Sequence, residues 1–286
     1  MPSNQALKRD SPESTVVEAN VEFYRQIASK YDRYETCASN PRLQQALDRD
    51  LDHIEMILGQ RSRPIQCLDC GGGTGNLTLR MLKKGWSVTV VDVSPDMLAI
   101  LKNKARRANY SPRLVRDSIS NFLACSQNTY DVVAFCSVLH HLYQYLPIVA
   151  LAAERVGPEG LFYSTFDPVV ARFPRASLWF ETFDTVLAKV IRDRGDFFPG
   201  MARRAKKFVQ RRTAPNERPV ASPGDLAEFH AKSGLDDIAI VKSLDERGFK
   251  VIDHLRWAAG RTAPARALNR RLRLMENFKI IAQRGT

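Results

Sequence analysis

Long apolar runs are missing from this chain. The longest, VVAFCSVL and LPIVALAA, are strand-sized and fall short of the roughly 18 residues that a membrane-spanning helix needs. Cysteine is sparse as well: Cys37, Cys67, Cys70, Cys125 and Cys136 form an odd, scattered set that does not read as a disulfide framework. No charged-then-apolar leader opens the sequence, so the expectation is a reduced, cytoplasmic protein. Acidic side chains are in deficit, 31 Asp and Glu against 43 Lys and Arg, which sets the formal charge at +12 and the pI at about 9.7. Such a balance suits nucleic acid, acidic membranes or anionic substrates without choosing among them. Internal repeats and low-complexity tracts are absent, and 44% hydrophobic content over 286 residues is enough for a real core.

What the chain does contain is alternation. Residues 1–14 are polar and read as a disordered tail. From Thr15, Val17, Val21, Tyr24, Ile27, Ala28 and Tyr31 recur at spacings of three and four, and a second helical stretch runs from Pro41 to Leu58; residues 15–60 are therefore an N-terminal helical region. Over 61–168, the β-branched runs PIQCLD, SVTVVD, RLVRD, YDVVAFCS and GLFYSTF alternate with helical segments, the last of them around 142–155. This pattern predicts an α/β fold, a parallel sheet with helices on both faces. Regularity stops at Asp167. Residues 169–221 mix aromatics such as Phe173, Trp179 and Phe208 with Arg172, Arg203, Arg204 and Lys206, and read as a helical insertion after strand 5. Helices near 224–233 and 236–247, then strands FKVIDHLRW and ENFKIIAQR, complete the core over 222–286.

The most specific signal is CLDCGGGTG at 67–75, between an apolar strand and the helical NLTLRMLKK. Its spacing is D-x-G-x-G-x-G, from Asp69, Gly71, Gly73 and Gly75. The dinucleotide fingerprint G-x-G-x-x-G fails because Asn76 stands where glycine is required, and no Gly-Lys-Ser/Thr follows to make a P-loop. Cys67 and Cys70 form a lone C-x-x-C across a strand end and read as core cysteines, so no metal site is expected.

Taken in order, these motifs resemble the class I (Rossmann-like) S-adenosylmethionine-dependent methyltransferases, in their small-molecule, quinone-biosynthesis-like branch, over residues 60–168 and the terminal strands. The resemblance implies a mostly parallel seven-stranded sheet whose last strand is antiparallel, and S-adenosylmethionine as cofactor. It also implies residue roles. Gly71 and Gly73 would lie against the methionine moiety, Asp69 would place its ammonium, and Asp92 would accept from both ribose hydroxyls. Val93 and Met97 would flank the adenine, Asp117 with Ser118 would read its edge, and Cys136 and Ser137 would meet the amino acid end. FYRQIASKYDRYE resembles the lid helix that many small-molecule members place over the cofactor, with Tyr24 and Tyr31 on one face. Polyamine synthases favour an acid where this chain has Thr74, which disfavours aminopropyl transfer.

His140 and His141 follow the fourth strand at the carboxyl edge of the sheet, where α/β folds bind ligands. A histidine there suits a general base, and the alternative is that they cap the next helix or line the pocket. Of the two, the resemblance favours His140, whose place in SVLHHL matches the position that faces the acceptor in several small-molecule members. His230 and His254 read as structural. The implied function is methyl transfer to a small organic acceptor (a natural product, phenol or quinol, amine or carboxylate) by in-line displacement. The alternative is a lipid or prenylquinone acceptor met at a membrane surface through the basic insertion, which otherwise reads as an acceptor lid or a solvated face. An RNA or DNA substrate is disfavoured: neither the Asn/Asp-Pro-Pro-aromatic motif nor the Pro-Cys of nucleic-acid enzymes occurs where the fourth strand ends.

Overall fold

The computed structural model describes residues 11–170, 229, 230, 233–257, 267, 268, 271 and 277–285. The insertion expected over 169–221 lies outside them from residue 171 onward, as does most of the helix expected near 224–233, of which residues 229, 230 and 233 are described and form turns. The chain divides into two units, 1–170 with 223–256 and 277–286, and 171–222 with 257–276; the account below concerns the first.

Among the described residues the sheet has seven strands: β1 (Gln66–Cys70), β2 (Ser87–Asp92), β3 (Arg113–Arg116), β4 (Tyr130–Cys136), β5 (Val156–Pro168), β6 (Phe249–Trp257) and β7 (Asn277–Arg284). Their order is β3-β2-β1-β4-β5-β7-β6, with β1 parallel to β2 and β4, and β7 antiparallel to β5, as the resemblance implied. Parallel strands covered on both faces need continuous apolar runs, and β4 supplies one: Tyr130 to Phe135 are all buried. Phe135 and Phe162 meet across β4 and β5 at 5.6 Å between ring centroids, each fully buried ring contributing roughly 1.5–3 kcal/mol. One polar network crosses this core: Lys279 pairs with Asp50 at 2.7 Å and Asp253 at 2.6 Å, while the Tyr163 hydroxyl donates to Asp50.

Helices alternate with the strands: α1 (Pro12–Tyr34), α2 (Thr36–Ser39), α3 (Pro41–Leu58), α4 (Thr78–Lys83), α5 (Pro95–Arg107), α6 (Ile119–Cys125), α7 (Tyr145–Glu154) and α8 (Asp237–Asp245). The expected tail over 1–14 is too long. Ser11 caps α1 by accepting from the Ser14 N–H, and Pro12 occupies the first turn, where no amide hydrogen is needed. The helix expected from 142 starts only at Tyr145, because Leu139–His141 form a 3₁₀ turn first. Ser94, with no exposed surface, caps α5 by accepting from the Met97 N–H at 3.3 Å. Ser94→Ala is expected to lower stability by about 1 kcal/mol in a urea titration.

Two features of this topology position the site. The order β2-β1-β4-β5 reverses the direction of strand addition between β1 and β4, which opens a crevice at their carboxyl ends. The register pairs Cys70 with Val91 and Asp69 with Ala134, so the residues after β1, β2 and β4 reach one rim together.

Candidate active site

The glycine loop leaves β1 in a left-handed turn. Gly71 has φ +70°, and a Cβ there would stand 2.8 Å from both Val138 methyls. Its missing side chain therefore admits Val138, which qualifies the expectation that it lies bare against a ligand. Gly73, at φ +53°, meets nothing closer than the Met97 methyl at 3.5 Å, so its backbone is the bare one. The Gly73 N–H donates to Asp92 Oδ2 at 2.8 Å, and the Ser94 N–H donates to Oδ1 of the same carboxylate. That carboxylate thus fixes the loop from the end of β2.

One cavity joins these elements, with about 1020 Å³ of space that is partly continuous with solvent. Its wall includes Asp69, Gly71, Gly73, Asp92, Val93, Met97, Ser118, Cys136 and Ser137 from the sheet side, and Tyr24 and Tyr31 from α1. Ser137 reaches it through a left-handed residue, φ 60°, directly after β4. Among the described residues no group of three or more His, Cys, Asp and Glu is placed to hold a metal ion.

Asp69 is the electrostatic focus. It is fully buried; Oδ2 accepts from the Thr78 hydroxyl at 2.5 Å, while Oδ1 has no hydrogen-bond partner. Burial pushes its carboxyl up to about 6, against the opposing effect of the Thr78 hydroxyl. Asp92 is also raised by burial, with its two backbone donors pulling the other way. Burial likewise raises the Tyr31 phenol and the Cys136 thiol, and brings Cys37, which shares the wall, to about 12. These three groups stay neutral at ordinary pH.

The adjacent histidines part company. His141 lines the cavity, and its Nε2 lies 2.9 Å from the Tyr24 hydroxyl; its carbonyl accepts from Asn20 Nδ2 at 3.4 Å. His140 is buried off the wall. Asp167 Oδ1 takes both its backbone N–H, at 3.2 Å, and its Nδ1, at 2.8 Å. A left-handed Phe166, φ 63°, at a register shift in β5 turns Asp167 toward it. The preference for His140 as the acceptor-facing histidine is thus not supported: successive residues of a 3₁₀ turn point a third of a turn apart, and the cavity receives the second.

Asp117 departs from expectation too. Its carboxylate accepts twice from Asn121 Nδ2, at 3.0 and 2.8 Å, and once from the Ser118 N–H, so it holds the start of α6 and is not on the wall, whereas Ser118 is. The sequence reading passed over Asn20, Cys37, Leu142 and Ile148, which also line the cavity. Cys37 and Ile148 carry no local signal; Asn20 sits one turn before Tyr24 on the same helical face, and that spacing could have found it.

Residues 67–160 match a family model described as a methyltransferase domain. A ubiquinone biosynthesis O-methyltransferase of Actinobacillus pleuropneumoniae is 30% identical over 105 residues, 35% of this chain and 45% of that protein. The ubiquinone/menaquinone biosynthesis C-methyltransferase UbiE of Zymomonas mobilis is 28% identical over 110 residues, 38% of this chain and 43% of that protein. The chain thus spans less than half the length of these relatives. In fold it is similar to the magnesium protoporphyrin IX methyltransferase of Synechocystis, solved with bound SAM, at a TM-score of 0.55 and 15% identity, covering 99% of this chain and 100% of the other. It is equally similar to the [4+2]-cyclase SpnF, at a TM-score of 0.57 and 14% identity over 95% and 97% of the two chains, so likeness in fold does not carry the chemistry. Residues 67–160 thus match a methyltransferase-domain model, and the glycine loop and sheet order agree with the class I, Rossmann-like resemblance.

Proposed function

We propose that the cavity binds S-adenosylmethionine and that the protein transfers its methyl group to a small organic acceptor. The observation that carries this reading is the buried carboxylate of Asp69, a residue of the cavity wall whose Oδ1 has no hydrogen-bond partner and whose carboxyl burial pushes up to about 6. An orphaned buried acceptor is costly unless a ligand supplies the donor, and an ammonium is a fitting one. Asp92 retains acceptor capacity for a diol beyond its two backbone donors, and Val93 and Met97 offer apolar surface to a planar base. The cofactor supplies a methyl group already activated by positive sulfur. The protein's part is to align the acceptor, exclude water beneath α1 and remove a proton where the acceptor is a hydroxyl. His141 Nε2, beside the Tyr24 hydroxyl, is the group on the wall suited to take that proton.

A phenol or quinol acceptor is favoured within this reading. Val16, Val17, Leu142 and Ile148 give the wall apolar surface, and the two relatives named above belong to quinone biosynthesis. A lipid or prenylquinone acceptor met at a membrane surface draws on the same relatives. No helix among the described residues is long and apolar enough to cross a membrane.

The test is calorimetric titration with S-adenosylhomocysteine across pH, followed by label transfer to catechols. Binding is expected, and its affinity should fall several-fold as pH drops from about 7.5 to about 5.5, because Asp69 protonates at about 6 and then cannot pair with an ammonium. The sign for stability is opposite. The folded carboxyl sits above its unfolded value of 3.8, so in the empty protein its contribution is full below about pH 4 and is lost as pH rises through about 6. No heat of binding at any pH would refute the reading.

A further inference from the structure

Asp32 stands near the end of α1, within FYRQIASKYDRYE and next to Tyr31, but the resemblance gives it no role. Its Oδ1 accepts from the Thr74 hydroxyl at 2.5 Å, and its Oδ2 pairs with Lys104 Nζ at 2.5 Å. Lys104, on α5, also donates to the Thr74 carbonyl at 3.0 Å. Three elements meet in this knot: the helix over the cavity, the glycine loop and the helix that carries Met97. Thr74 lies between Gly73, whose N–H is held by Asp92, and Gly75, and it is 1% exposed; the Asp32 and Lys104 side chains keep 45% and 31% of their surface. The middle of the covering helix is held to a different part of the wall, through Asn20 and Tyr24 to His141.

We propose that Asp32 is a positioning residue, a clasp that makes closure of α1 depend on the conformation of the glycine loop. The physical ground is the division of labour within one carboxylate. One oxygen binds the loop through the hydroxyl of a buried residue. The other binds a partly exposed lysine that itself grips the loop's backbone. When the loop is ordered, both acceptors are satisfied and the helix end is fixed; when the loop moves, the Thr74 hydroxyl and carbonyl leave together and the helix end loses both anchors. A ligand that orders residues 71–75 therefore tightens its own cover, and the clasp governs how long that ligand stays. An exposed ion pair alone would have little effect, but here it is joined to a buried hydroxyl in a single network. The inference rests on the cofactor reading given above.

The experiment measures S-adenosylhomocysteine dissociation by stopped-flow for the wild type, Asp32→Ala, Lys104→Met and the double variant, with thermal melting of each ligand-free protein alongside. Asp32→Ala is expected to speed dissociation by about tenfold or more while association changes little, the size set by a charge-assisted hydrogen bond. The double variant should be no faster than Asp32→Ala, because both changes break one network. Ligand-free melting should shift by no more than a few degrees, which a purely structural role for Asp32 would not produce together with faster release. Unchanged dissociation, or additive effects in the double variant, would overturn the proposal. If the wild type binds neither S-adenosylmethionine nor S-adenosylhomocysteine, the cofactor reading fails, and amide hydrogen exchange decides the clasp by itself. Asp32→Ala should then speed exchange at Gly73 to Gly75 in the ligand-free protein, and unchanged protection there would overturn it.

Discussion

His141→Ala is expected to slow methyl transfer to a hydroxyl acceptor by about 10²- to 10⁴-fold, the range over which a positioned general base acts. Cofactor affinity should fall far less than the rate, because Asp69, Asp92 and Met97, which hold the amino acid and nucleoside in the proposed site, come from β1, β2 and α5, while the imidazole's bond to Tyr24 ties down α1. Single-turnover label transfer with a catechol separates the two effects, and added imidazole should restore part of the rate. The neighbouring residue is the control. His140→Ala removes the imidazole from a fully buried Asp167, so its cost should appear as lost stability, seen in denaturant unfolding before any change at the acceptor. If the His141 variant retains its rate and the His140 variant does not, the assignment of the base is wrong.

Asp92→Ala should weaken cofactor binding by about 1.5–3 kcal/mol, the magnitude of hydrogen bonds to a charged group, or roughly 10- to 150-fold in Kd by calorimetry. Two losses combine in this change. The acceptor for the ribose diol disappears, and so does the carboxylate that fixes the Gly73 and Ser94 amides at 2.8 Å each. Asp92→Asn is not a rescue, since its amide NH₂ would have to face one of those two N–H donors. Affinity equal to the wild type would show that the nucleoside is held elsewhere.

Much of this architecture is legible in the sequence because it is written locally. Alternation of β-branched runs with helical periodicity needs only neighbouring residues, and the D-x-G-x-G-x-G turn is constrained by φ and close approach at fixed offsets. The strand positions follow from that level, whereas the antiparallel β7 and the gathering of Asp69, Asp92 and Ser137 at one rim are what the family resemblance implied. What stays hidden depends on contacts distant in sequence. Nothing near SVLHHL tells which imidazole enters the cavity, since that is decided by Asp167 arriving from a bulge 27 residues later. The part that Gly71 plays is set by Val138, which packs against it from just before the 3₁₀ turn. Asp32 reads as an ordinary exposed helical acid until Thr74 and Lys104 are seen beside it. Asp117 has the expected position and the wrong orientation, because Asn121, one turn on, offers it a nearer donor.

The sheet order also bears on how the chain emerges from the ribosome. β7 is the strand that separates β5 from β6, yet it is translated only after the whole segment 169–276. Throughout that interval the nascent β5 presents an unpaired edge on its far side, including the apolar Leu161, Phe162 and Tyr163. A chain cut before Asn277 would keep that edge open, so it should aggregate in a pelleting assay under conditions where the full chain stays in solution.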